Sequence, residues 1–313
     1  VTGTLLRRAR PAEEVSDTSA PEVVPLRHPG QWVIAALALL MTVIVVRAFA
    51  GSENIDWGIV GEYLFSSTIL IGVGVTVGLT ILSMVIASLI GLAIAVMRLS
   101  DNRVLRTLST LYLGFFRGVP LLVLLIFVYN LALVVPTLSL GIPFTGITFV
   151  DTSTNAAITP FIAAVIGLSF AEGAYMGEVV RAGILAVDPG QTEAGLSLGM
   201  RRGYLLRRIT IPQAMRVIIP PTGNETLAML KGTALVSVIA GRELLTRAQQ
   251  VSAENYRVVE LLIVATFWYL VLTAAFTLVQ GVIERRYGRG FGRRDTAAKP
   301  IAPIKRRLLG FGR

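Results

Sequence analysis

The sequence predicts an all-α membrane protein of about six transmembrane helices, with both termini in the cytoplasm. Three observations carry this. The 313 residues are 54% hydrophobic and 15% charged, with a mean hydropathy of +0.70, whereas soluble domains carry about a quarter charged residues. Apolar runs recur at the length of about 20 residues that a helix needs to cross a bilayer. The net charge of +10 is gathered in the tails and between apolar runs, a pattern of cytoplasmic flanks rather than of a nucleic-acid groove.

The first run, 32–50, is long enough to span and reads as a retained helix, not a cleaved signal. The second, 68–97, is longer than the bilayer core, so tilt is expected. The third has its core at 119–135 and an amphipathic lead-in from about residue 104; the fourth is 160–186. The fifth, 213–240, is interrupted by Pro220-Pro221-Thr222-Gly223, and the sixth is 258–281. With six spans, one side collects Arg7, Arg8, Arg10 and Arg27 of the N-terminal tail and Arg98, Arg103 and Arg106 of the next loop. It also collects Arg201, Arg202, Arg207 and Arg208 of the 187–212 loop and the basic C-terminal tail. The other side holds 51–67, with Glu53, Asp56 and Glu62, then 136–159, with Asp151 alone, and the mixed 242–257. The positive-inside rule therefore gives an N-in/C-in topology. Residues 1–30 and 285–313 read as basic cytoplasmic tails beside the anionic inner leaflet, poorly ordered by composition.

Several chemistries are excluded. There is no cysteine, so disulfides and thiolate metal sites are ruled out, and the single histidine, His28, lies in a tail. Gly195-Leu-Ser197-Leu-Gly199 matches the pattern of a hydrolase nucleophile elbow, but the elbow needs a preceding strand and a histidine base. No Gly-Lys dipeptide occurs, so a phosphate-binding P-loop is absent from these residues and no catalytic residue is assigned. Gly74 with Gly78, Gly114 with Gly118, and Gly173 with Gly177 keep the G-x-x-x-G spacing that lets apolar helices approach closely.

The 187–212 loop carries most of the functional signal. Gln191 to Leu198 suits two helical turns, with Glu193 near the positive helix start and Gly199 as the C-terminal cap. Residues 201–209 suit a second short helix with Leu205, Leu206 and Ile209 toward lipid, and Pro212 suits the first turn of the fifth span. From physics alone this is either an interfacial basic loop or a docking surface.

Glu193-Ala194-Gly195, then Gly199, then Ile209-x-Ile211-Pro212 resembles the EAA loop of ABC importer permeases, with glycine for alanine at 195 and isoleucine for leucine at 211. Further segments resemble the polar amino acid subfamily over about residues 68–284: Phe116-Arg117-Gly118-Val119-Pro120-Leu121-Leu122, Gly173-Ala174-Tyr175-x-x-Glu178-x-x-Arg181, Pro212-Gln213-Ala214-Met215-Arg216, and Leu230-Lys231-Gly232-Thr233. Gly232 stands where the subfamily has an acid, and the helix at 31–50 lies outside the shared core.

The resemblance implies a type I ABC importer permease fold, paired with a second permease subunit (a homodimer favoured), two ATPase subunits that hold ATP and Mg, and an extracytoplasmic substrate-binding protein. No cofactor on this chain is implied. It makes Glu193, Ala194, Gly199, Arg201 and Arg202 the residues that meet the ATPase. Substrate-path candidates are Glu172, Tyr175, Glu178, Arg181, Asn224, Glu225 and Lys231, since ionisable groups inside a membrane are functional by default. Glu172 falls near mid-bilayer, and Glu178 and Arg181 are spaced to pair with each other. A carboxylate on the substrate would meet Lys231 or a helix start at 224, if the Pro220-Pro221 break frees one. The rival is a stand-alone secondary transporter or channel for small polar solutes, which needs no docking loop.

Overall fold

The computed structural model describes residues 29–141 and 148–287. The basic tails, with His28, Arg7, Arg8, Arg10, Arg27 and everything after Tyr287, lie outside the described residues. The described residues fall into two compact units, parted between Ile55 and Asp56. In the first, α1 (Pro29–Ala50) is apolar on every side and none of its membrane-length window is buried. A helix hydrophobic all round is suited to lipid.

The second unit opens with α2 (Trp57–Leu64), started by Asp56, whose Oδ1 accepts from Gly58 N at 2.9 Å. It continues with α3 (Ser67–Leu99), whose 33 residues make a rod of about 50 Å, well over the hydrocarbon thickness, so it tilts. Next come α4 (Arg103–Gly118), capped by Asn102, and α5 (Leu121–Tyr129). These two meet at 99° across Val119-Pro120. The expected third span, with its core at 119–135 and its lead-in from about residue 104, is a bent pair: Pro120 cannot continue α4, and the apolar run after it makes only two and a half turns of helix before Asn130.

The stretch 136–159 is not loop alone. It forms β1 (Thr137–Gly141) and β2 (Thr148–Ser153), an antiparallel pair with Thr137 opposite Ser153, followed by the single turn α6 (Thr154–Ala157). This small hairpin departs from the all-α expectation; threonine and valine favour the extended chain there. Then α7 (Pro160–Leu185) starts with Thr159 as cap and Pro160 in its first turn.

The chain continues through α8 (Pro189–Ser197), α9 (Arg202–Leu205), a π-helical turn at Leu206–Thr210, and α10 (Ile211–Gly232). Here the structure corrects the sequence reading. Pro220 and Pro221 lie inside α10 and do not break it. The interruption comes later, as a 3-10 segment at Thr233–Ile239 that ends in Ala240 with φ 54°. Prolines strip donors from two carbonyls, but in a packed membrane helix neighbours supply replacements. Polar side chains also line this turn: Thr222 Oγ1 donates to Ile218 O at 2.8 Å and Gln280 Nε2 to Pro220 O at 3.4 Å, although the carbonyls that lose their donors are those of Arg216 and Val217. No helix start exists at Asn224, so that anion-binding reading falls.

The unit closes with α11 (Leu244–Asn255), within the expected 242–257 loop, and α12 (Val258–Tyr287), six residues longer than the expected sixth span. By length and composition four described helices (α1, α3, α7, α12) can cross a membrane, and five if the bent α4–α5 pair counts as one. Carrying Arg216, Glu225 and Lys231, α10 is not apolar enough to qualify.

The core lies where α3 crosses α7. A Cβ on Gly91 would sit 2.6 Å from Met176 Cβ and 2.8 Å from Gly177 N, so the two backbones touch. Gly173 and Gly177 likewise receive Ile90 and Ile94. Of the three G-x-x-x-G pairs only this one packs among the described residues; at Gly74, Gly78, Gly114 and Gly118 an added Cβ would meet nothing within 4 Å. Polar anchors fix the periphery. Trp268 Nε1 donates to Leu64 O at 2.7 Å, and Tyr112 Oη donates to Phe170 O at 2.6 Å. The fully buried Glu243 carboxylate caps α11, accepting from Leu245 N, Thr246 N, Thr246 Oγ1 and Tyr269 Oη at 2.7–3.0 Å.

Candidate functional site

Two regions bring the predicted residues together: the 187–212 loop and a pair of cavities beside α7. In the loop, α8 starts two residues earlier than expected. Asp188 is its cap, with Oδ1 accepting from Gly190 N at 2.8 Å, and Pro189 fills the first position. Glu193 therefore sits in the second turn, away from the dipole's positive end. The end of the helix matches expectation. Gly199 has φ 77°, its N–H meets Leu196 O at 2.9 Å, and Met200 N–H meets Gly195 O at 3.1 Å, the Schellman pattern.

Gly195 is buried, and a Cβ there would lie 2.5 Å from Leu205 Cδ1. The glycine that replaces the subfamily's alanine thus fits Leu205, which fills the space. This also corrects the lipid-facing reading of Leu205: it is 4% exposed and packs α9 under α8. Leu206 is exposed and Ile209 half-buried. With that seam closed, Glu193, Ala194, Gly199, Arg201 and Arg202 are all exposed, and Leu198, 83% exposed, projects among them. Ser197 Oγ donates to Glu193 O at 2.9 Å, a back-bond within the helix, and no base stands near it in α8.

Beside α7 lie two neighbouring cavities. The first, about 240 Å³, is lined by Phe116, Leu168, Glu172, Tyr175, Glu225 and Met229 among others, and no base among the described residues contributes to its wall. The Glu172 and Glu225 carboxyls, one from α7 and one from α10, are direct neighbours there. Glu172 Oε1 is fully buried and receives no hydrogen bond from the described residues. Two carboxyls side by side, with no basic side chain among the described lining, form a site complementary to a cation that carries several N–H groups.

The second cavity, about 450 Å³, is bounded by Arg98, Thr110, Arg117, Tyr175 and Glu178 and by the bare backbone at Gly114 and Gly118. Glu178 accepts from Arg181 Nε at 3.0 Å and Nη2 at 2.7 Å, the pairing that the sequence spacing predicts. It also meets Arg98 Nε at 3.4 Å, and Arg98 Nη1 donates to Thr110 Oγ1 at 3.0 Å. Arg117 lies over the Tyr175 ring, 5.5 Å from its centroid. Tyr175 lines both cavities.

The remaining candidates are elsewhere. Asn224 is exposed on the α12 side of α10, where Gln280 Nε2 reaches its Oδ1 at 3.4 Å. Lys231 is exposed, lines neither cavity, and forms no ion pair among the described residues. Sequence reasoning missed Arg98 and Arg117 as members of the site. Arg98 counted only as loop charge, and Arg117 only as part of a motif. An arginine three residues after Gly114 and next to Gly118, within an otherwise apolar stretch, is the signal that was there to be read.

Comparison with known proteins gives a consistent answer. Residues 87–289 match the family described as binding-protein-dependent transport system inner membrane component. The chain is 39% identical over 293 residues to the arginine transport system permease protein ArgU of Corynebacterium glutamicum, covering 93% of this chain and 91% of that one. It is 36% identical over 236 residues to the histidine/lysine/arginine/ornithine transport system permease protein HisQ of Salmonella typhimurium, covering 74% and 99%. A solved structure described as an amino acid ABC transporter with histidines aligns with a TM-score of 0.62 at 34% identity, covering 74% of this chain and 99% of that one. Solved methionine transporter chains at 17% identity share the fold, with a TM-score of 0.55. The exposed loop, the crossed α3–α7 core and these matches agree: the chain belongs to the family of binding-protein-dependent transport system inner membrane components, the membrane permease subunits of ABC importers.

Proposed function

We propose that this permease moves a polar amino acid, with cationic ones preferred, and that Glu172 and Glu225 receive its positive end. The carrying observation is the cavity with two adjacent carboxyls, an undonated Glu172 Oε1 and no basic wall residue among those described. The names of the relatives, which include arginine and histidine/lysine/arginine/ornithine permeases, favour the same substrate class. Tyr175 forms the wall between this cavity and the next, and Glu178 and Arg181 form the ion pair below it.

In this reading the working unit contains two permease subunits, two ATPase subunits and an extracytoplasmic binding protein. ATP and Mg are held by the ATPases. Glu193, Ala194 and Gly199 on α8, with Arg201 and Arg202 at its rim, dock against the ATPase, and Leu198 supplies the apolar contact. From Arg202 the chain runs as unbroken helix through the π-helical turn into α10, and α8 is tied to that helix by the Gly195–Leu205 packing, so a displacement of the loop reaches Glu225.

The test is ATP-driven uptake in proteoliposomes containing the whole transporter and its loaded binding protein. Glu172→Gln and Glu225→Gln each remove one carboxyl facing a cationic substrate, where a charge-assisted hydrogen bond is worth about 1.5–3 kcal/mol, so transport efficiency for arginine should fall about tenfold or more. Undiminished uptake in both assembled variants rules out the acid pair as the substrate contact. Uptake that ignores both ATP and Glu193→Ala points instead to a stand-alone transporter.

A further inference from the structure

We infer that the second cavity is a carboxylate subsite, with Arg117 as its anchor, so that the permeating amino acid is held at both charged ends across Tyr175. The inference rests on the amino acid reading above and extends it to residues that reading does not use.

The charges around the cavity single out one residue. Its immediate charged groups are Arg98, Arg117 and Glu178, with Arg181 behind Glu178. Glu178 is taken by Arg181 and Arg98, and Arg98 also holds Thr110. Arg117 has no carboxylate partner among the described residues; its neighbour is the face of Tyr175. A guanidinium on an aromatic face keeps its planar N–H edge free, and that edge matches a carboxylate in bidentate fashion. Glu178, already shared by two arginines, does not repel an incoming anion as a free carboxylate would.

The shape agrees. Gly114 and Gly118, one turn apart on α4, have nothing within 4 Å of where a Cβ would be, and both border this cavity. Among the described residues no helix packs on them, and the cavity is open there. Tyr175 belongs to both walls, so the acid pair and Arg117 are separated by one ring. Glu178 lies six residues beyond Glu172 on α7, about 9 Å toward the 187–212 loop. The basic cavity is thus the nearer of the two to the loop. An amino acid offers a positive group and a carboxylate on one small molecule, and the two cavities offer the complementary pair in the same order.

The test is equilibrium binding of labelled L-arginine, with L-argininamide as competitor, to the intact permease–ATPase complex in nanodiscs without binding protein. The amide keeps every positive group and loses the carboxylate. The wild-type complex should prefer arginine by about tenfold or more, the worth of a charge-assisted hydrogen-bonded contact. Arg117→Gln should abolish that preference while argininamide binding holds. Arg117→Lys, which keeps the charge without the fork, should fall between and guards against a folding defect in the glutamine variant. If both variants still prefer arginine as the wild type does, the subsite is overturned and the acid-pair reading stands. If the wild-type complex binds neither ligand, the substrate reading itself fails and takes the subsite with it.

Discussion

The fit between Gly195 and Leu205 makes a sharp prediction about coupling. Substituting alanine restores the residue usual in related loops but places a methyl 2.5 Å from Leu205 Cδ1, roughly 1 Å or more inside ordinary carbon contact. The obstructing atom is the tip of a flexible side chain, so Leu205 can turn at about 0.5–1.5 kcal/mol. Exchanging glycine for alanine inside α8 returns about 0.8–1 kcal/mol of helix propensity. The two nearly cancel, and Gly195→Ala should couple as well as wild type. Gly195→Val adds two further branches into a seam already filled by a residue 4% exposed, which costs about 1–3 kcal/mol in overpacking and pushes α8 off α9. Combining it with Leu205→Ala should recover much of the loss, since neighbouring substitutions interact by about 0.5–3 kcal/mol. The assay is ATP hydrolysis by the reconstituted transporter, with and without loaded binding protein. Stimulation should persist in Gly195→Ala, fall in Gly195→Val, and return in the double variant. If alanine fails as badly as valine, the bare glycine backbone is itself contacted by the ATPase and the packing explanation is wrong.

Three other predictions concern the frame around the site. Gly91→Ala forces backbone against backbone where α3 crosses α7, so it should lower the melting temperature of the solubilised complex, with a cost of about 1–3 kcal/mol; Gly74→Ala on the same helix meets nothing and should not destabilise this subunit. Glu243→Ala leaves Leu245 N and Thr246 N without their buried acceptor and should destabilise by about 1–3 kcal/mol or more, measured by thermal aggregation, with Glu243→Gln less severe. Gly199→Ala forces φ 77° on a residue with a Cβ at about 1–2 kcal/mol, so stimulated ATPase should decline, and Gly199→Asn, which tolerates that conformation, should decline less.

The long elements were legible in the sequence because length and hydropathy act locally. The spans in α3, α7 and α12 and the stop at Gly199 follow from apolar runs and from one residue's tolerance of positive φ. Pro220-Pro221 misled for a physical reason: proline's cost is intrinsic, but whether it ends a helix depends on the packing around it, and here α10 continues past both prolines between α7 and α12. The 99° corner at Val119-Pro120 was hidden by a continuous apolar run, since hydropathy does not report direction. The site was legible residue by residue and not as an arrangement. Glu172 and Glu225 stood out singly as charges in apolar surroundings, but their meeting depends on how α7 and α10 pack. The same holds for Arg98 and Glu178, which are 80 positions apart and 3.4 Å from contact to contact. Lys231 passed the same test of charge in an apolar run and yet faces away.

The π-helical turn at Leu206–Thr210 has a consequence for angular phase. Each residue of an α-helix advances the side-chain direction by about 100°, so a helix one residue longer or shorter presents a different face. The wide turn sets the azimuth of everything after it relative to α8 and α9. Deleting a single residue from 206–210 would leave the sequences of α8, α9 and α10 intact, yet swing Glu225 by about a quarter-turn or more, out of register with Glu172. The acid pair is therefore timed, as a cam is timed to its shaft, by a segment that touches neither of its members.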